Sequence, residues 1–95
     1  MRYEILLAPE AFEDFRALKA NARAEVRDAI ERHLRYEPAE TSRSRIKRLR
    51  GVSKPQFRLR VGDLRVFYDV DDGEVRVLAI VAKDEIQEWL GRVGK

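Results

Sequence analysis

An α+β fold, a mixed or antiparallel sheet of four to five strands with two helices on one face, is predicted by three features of the chain. Apolar residues recur at three- and four-residue spacing through its first third, the period of helices with one buried stripe. From about residue 45 the period changes to alternation, punctuated by the two-residue turn signals Gly62-Asp63 and Asp72-Gly73. Ninety-five residues with 44% hydrophobic content suffice for one modest core and no second one, so residues 1–95 are read as a single domain.

Residues 2–7 (RYEILL) form a short strand, placed centrally because Ile5, Leu6 and Leu7 run together. Pro9 suits the first turn of a helix, and Glu10, Glu13 and Asp14 favour its positive end. Phe12, Phe15 and Leu18 give that helix its buried face. Asn21 is the expected N-cap of a second helix running to about Tyr36, with Ala22, Val26, Ala29, Ile30, His33 and Leu34 as its stripe. Asp28 with Arg32 and Glu31 with Arg35 are i,i+4 pairs on its wet side, and Pro38 ends it.

After the polar stretch PAETS, residues 45–50 and 56–61 read as strands separated by Gly51–Pro55. Gly62-Asp63 turns into a strand over 64–70, and Asp72-Gly73, a type I′ signal, into one over 74–82. Successive hairpins make these four strands antiparallel. The segment KDEIQEWLGRVG is a short helix with Ile86, Trp89 and Leu90 facing inward and Gly91 near its stop. The order is β-α-α-β-β-β-β and a short α.

Charge is concentrated. Residues 43–65 hold nine Lys or Arg and one acid, Asp63, a net charge of +8 against +3 for the whole chain, so the other 72 residues carry −5. A positive block interleaved with apolar residues fits a phosphate-rich partner better than solubilising decoration. In Gln56–Val61, Phe57, Leu59 and Val61 point one way and Arg58 and Arg60 the other. If the helices cover the first set, the arginines line the opposite, concave face. Arg65 then lies beside Arg60 across the tight turn. Like charges so placed destabilise a sheet, and an anionic ligand would relieve them.

Other classes are disfavoured. With no cysteine there is no disulfide framework or thiolate metal site, and a zinc site would have only carboxylates and His33. His33 reads as a half-buried packing residue. The start, MRYEILLAPEAFED, lacks a long apolar run, so neither a signal peptide nor a membrane partner is expected and the location is cytoplasmic.

The run FRLRVGDLRVFYDVDDGEVRVLAIVAKDE resembles the carboxy-terminal half of the RelE/ParE superfamily of toxins. The resemblance lies in Arg58-Leu59-Arg60-Val61-Gly62-Asp63-Leu64-Arg65-Val66-Phe67-Tyr68, with Leu64 where the family often has an aromatic residue. The strand–helix–helix layout upstream and the basic stretch Lys47–Gly51 extend it over nearly the whole chain. It implies the toxin of a type II toxin–antitoxin module, partnered by a small acidic antitoxin encoded by a neighbouring gene. The RelE branch implies a metal-independent, cofactor-free endoribonuclease acting on messenger RNA in the ribosome. The resemblance then makes Arg65, Arg58 and Lys83 catalytic, and Arg60, Lys47, Arg48, Arg50, Lys54 and Gln56 RNA-binding.

One departure bears on the chemistry. RelE-branch nucleases end with a basic pair and then a Tyr or His, whereas this chain reads Ala82-Lys83-Asp84-Glu85-Ile86-Gln87-Glu88-Trp89. Gln87 falls about where the tyrosine would be and cannot titrate near neutral pH. Lys83 can transfer protons only if the arginine cluster lowers its pKa. Trp89 suits the core by its spacing, although it could stack on a base. The ParE branch, which inhibits DNA gyrase without chemistry of its own, is therefore the alternative, as is a degenerate toxin that only binds its antitoxin. Each basic residue also has a plain reading: a solvated loop at 43–50, pairing of Arg58 and Arg65 with Asp63, Asp69 or Asp71, and an ordinary helix start at Lys83.

Overall fold

The computed structural model describes residues 1–52 and 54–93. Strand β1 (Glu4–Leu7) leads into helices α1 (Pro9–Ala17) and α2 (Ala20–Leu34). Strands β2 (Ile46–Arg48), β3 (Phe57–Val61), β4 (Leu64–Asp71) and β5 (Glu74–Ala82) follow, and a 3-10 turn over Lys83–Glu85 runs into helix α3 (Ile86–Val93). Ser53 of the predicted β2–β3 connection and Gly94 of the predicted last helix lie outside the described residues.

The sheet is five-stranded and mixed, in the order β1-β5-β4-β3-β2. The four later strands are antiparallel neighbours, as the hairpin signals require, while β1 pairs in parallel with the first half of β5. This corrects the central placement of β1. It is an edge strand four residues long, and of its apolar run only Ile5 packs against the main core, while Leu7 is 41% exposed. The C-terminus of α2 secures it, with Tyr3 N–H donating to Arg35 O at 2.7 Å and Arg35 Nη1 donating to Tyr3 O at 2.9 Å. Arg35 is itself held by Glu31 one turn back.

Both hairpin turns place their glycine at positive φ, 58° at Gly62 and 72° at Gly73, while neither aspartate goes there. The Asp72-Gly73 turn is thus not the expected type I′, which needs positive φ at both central residues. A Cβ makes that conformation costly for Asp72.

The main core lies between the sheet and α1–α2. Val26, Ala29, Ile30 and Leu34 of α2 meet Phe57, Leu59, Val61, Val66, Tyr68, Val75, Val77 and Ile80. The stripe of α1 is Ala11, Phe15 and Leu18; Phe12, expected there, is 48% exposed with Arg16 over its ring. Helix α2 starts at Ala20, and its N-cap is Lys19, two residues before the expected Asn21. Tyr68, wholly buried, stacks on Phe57 with ring centroids 5.5 Å apart and donates to Pro38 O at 2.6 Å. Burial pushes its phenol pKa strongly upward.

A second apolar cluster occupies the opposite face: Phe67, Ala79, Val81 and Trp89, with Leu49, Ile86 and Leu90 packed against it. Helix α3 therefore covers part of the face that carries the arginines. A register shift between Phe67 and Tyr68 leaves Leu78 of β5 without a partner, so Val75, Val77 and Ile80 reach the helix side while Ala79 and Val81 reach the other. On the adjoining edge Asp14 Oδ2 accepts the Ile80 N–H at 2.9 Å. Burial, opposed by that bond, holds the Asp14 carboxyl above its ordinary range.

Candidate nucleic-acid interface

Strand register brings the predicted arginines together. Arg60 lies directly opposite Arg65, and Arg58, opposite Phe67, is two residues further along the same face. Lys47 of β2 is the cross-strand partner of Arg58 and extends the row. The parity argument holds: Phe57, Leu59 and Val61 are buried under α1–α2, and Arg58, Arg60 and Arg65 face away from them.

Each guanidinium is held differently. Arg65 Nη1 donates to the carbonyls of Gly62 and Leu64, both at 2.9 Å, so the turn before the strand braces it. Arg58 is partly buried beside Phe67, and burial first, then the charges of Arg65 and Arg60, pull its pKa below the usual arginine range. The Nε atoms of both Arg58 and Arg65 are inaccessible and have no hydrogen-bond partner. Among the described residues no carboxylate lies within salt-bridge distance of Arg58, Arg60 or Arg65. The structural pairing with Asp63, Asp69 or Asp71 does not form. Asp69 instead accepts the Gln56 N–H at 2.8 Å and pairs with Lys54 at 3.8 Å.

The remaining predicted contacts divide. Arg48, opposite Phe57, sits over that ring at 5.2 Å and so lies on the helix side, away from Arg58. Arg50 is exposed in the loop after β2. The Gln56 side chain is engaged structurally, its Oε1 accepting the Val70 N–H at 2.8 Å. Lys83 opens the 3-10 turn; its Nζ is 3.5 Å from Asp63 Oδ1 and its N–H donates to Asp63 O at 2.9 Å. Gln87 is exposed on α3. Trp89 is core: it stacks on Phe67 at 4.5 Å and its Nε1 donates to Glu10 at 2.8 Å. Sequence reasoning missed Asp63 as the partner of Lys83; the tight turn beside the end of β5 was the available signal.

Half-buried His33 titrates lower than usual, through burial and then the charges of Arg45 and Arg32, and lies on α2 apart from the arginine row. Among the described residues no group of His, Cys, Asp or Glu could hold a metal ion, and no helix is long and apolar enough to cross a membrane.

The fold has close counterparts. With 25% identity and a TM-score of 0.73, the chain resembles a structure of the RelBE2 toxin–antitoxin complex from Mycobacterium tuberculosis, over 86% of this chain and 99% of that one. The RelE–RelB complex from Pyrococcus horikoshii matches at 25% identity and a TM-score of 0.64, covering 87% and 97%. A free RelE variant from Escherichia coli, at 20% identity, shares the fold with a TM-score of 0.71 over 98% and 99%. No curated protein matches the sequence. Residues 5–86 match the family model described as the ParE toxin of the type II toxin–antitoxin system parDE, and the chain is thus a type II toxin of the RelE/ParE superfamily.

Proposed function

We propose that this toxin is a metal-independent endoribonuclease that cuts messenger RNA on the ribosome and is neutralised by a small acidic antitoxin encoded beside it. One observation carries the reading: a partly buried guanidinium, Arg58, with Arg60 and Arg65 next to it and, among the described residues, no carboxylate in pairing distance. Such a cluster costs folding free energy unless an anion joins it, and a phosphorane with its extra negative charge is a fitting one.

In the proposed reaction a ribose 2′-oxygen attacks the adjacent phosphorus and its proton passes to water. The bond from phosphorus to the 5′-oxygen breaks, and that oxygen takes a proton from the Lys83 ammonium, which water then replenishes. Arg58 and Arg65 stabilise the charge on the phosphoryl oxygens, while Arg60 and Lys47 hold the flanking backbone. Arg48, Lys54 and Gln56 are engaged elsewhere and contribute less.

A second reading, inhibition of DNA gyrase, is favoured by exposed Gln87 and by the ParE description of the matching family. Primer-extension mapping of cellular messages after induction tests the first. Discrete cleavage sites in translated regions, lost in Arg65→Ala, are expected. Intact messages together with loss of gyrase supercoiling would establish the second reading instead.

A further inference from the structure

The Gly62-Asp63 turn anchors both ends of the proposed reaction. Its carbonyls at Gly62 and Leu64 hold Arg65 Nη1, and Asp63 holds Lys83 twice, through its backbone carbonyl and through its carboxylate. Lys83 follows Val81, the strand partner of Arg65, by two residues. Its charged neighbours by register and sequence are Asp63 and Arg65 across the β4–β5 pairing and Asp84 and Glu85 in its own turn. Of the carboxylates, Asp63 is the one in ion-pair distance.

We infer that Asp63 is a positioning residue that keeps the Lys83 ammonium beside the arginine row. Asp63 touches no reacting atom. A lysine on a flexible four-carbon stem serves as a proton donor only when something limits where its end spends time, and rate depends steeply on that placement. The backbone bond at Lys83 fixes the root of the side chain and the carboxylate restrains its tip. This inference rests on the nuclease reading.

Asp63 is exposed at a turn, so its variants retain the fold. In single-turnover cleavage of ribosome-bound message, Asp63→Ala is expected to lower the maximal rate by about two- to fivefold, the range for an exposed ion pair, with half-saturation unchanged. Asp63→Glu restores it, and Asp63→Ala has no further effect in a Lys83→Met background. An equal loss in both backgrounds would overturn the inference. A second measurement does not depend on activity: the NMR order parameter of the Lys83 ε-carbon falls in Asp63→Ala and recovers in Asp63→Glu. If it stays unchanged, Asp63 does not position Lys83. A wild type that cleaves nothing while the order parameter falls in Asp63→Ala would remove the nuclease reading, and with it the catalytic purpose assigned to Asp63.

Discussion

Replacing Arg58 with methionine is expected to make the protein more stable and less toxic at once. Arg58 lies diagonal to the Arg60–Arg65 pair, and cross-strand contacts of this kind are worth about 0.2–1 kcal/mol each, here unfavourable. Two such neighbours, partly screened by solvent, cost about 0.5–1.5 kcal/mol. The inaccessible, unbonded Nε adds about 1 kcal/mol. Methionine keeps an unbranched stem beside Phe67 and removes both penalties, so unfolding becomes harder by about 1.5–2.5 kcal/mol. For a domain of this size each kcal/mol raises Tm by about 4–8 °C. Removing a preorganised charge from a phosphoryl transition state meanwhile lowers the rate by about 10²- to 10³-fold. Thermal unfolding of purified wild type and Arg58→Met, with growth after induction, measures both sides. Added salt should raise the Tm of wild type more than that of the variant, because it screens the repulsion. A lower Tm for Arg58→Met would show that Arg58 is a structural residue and would refute the reasoning.

Three further outcomes follow from other contacts. In an inducible growth assay Arg65→Ala should relieve arrest far more than Arg48→Ala, because Arg65 is braced on the arginine face and Arg48 lies over Phe57 on the other side; equal effects would count against a defined site. Tyr68→Phe should cost about 1–3 kcal/mol in urea unfolding, since it strands the buried Pro38 carbonyl while leaving the ring stack intact. The raised Asp14 pKa means that its contribution to stability is full below the unfolded carboxylate range and is lost as pH rises through the folded value. Asp14→Asn keeps an acceptor for Ile80 N–H, so its Tm should equal or exceed wild type at pH 7 and lose that advantage on acidification; a variant less stable at pH 7 would contradict this.

Much of the architecture was legible because it is local. The two-residue turns, the alternation in Phe57–Val61 and the spacing in α2 each determine geometry over a few residues, and the arginine row follows from them. What escaped depends on distant pairing. Ile5-Leu6-Leu7 looks alike in a central strand and in an edge strand whose Ile5 alone packs against the main core. The apolar stretch Val77–Val81 is buried on both sides, so no alternation marks the extra residue at Leu78. Helix α3 was readable as amphipathic, yet its seat on the arginine face depends on Phe67, whose parity also suited an open surface. Phe12 shared the spacing of a buried stripe that α1 instead fills with Ala11.

The parallel pairing of β1 with β5 joins Glu4 to Glu74 and Leu7 to Val77, while every other strand contact is with the next strand in sequence. Closing that loop carries an entropic cost that neighbouring hairpins avoid. Synthesis runs from the N-terminus, so β1 is made before β5 and waits for it while two helices and three strands are added. The β2–β5 meander can zip from its turns, but α1 and α2 find their sheet only once it has formed. Completion of the sheet that carries the arginine row therefore waits for β5, the strand that joins the β2–β4 meander to β1.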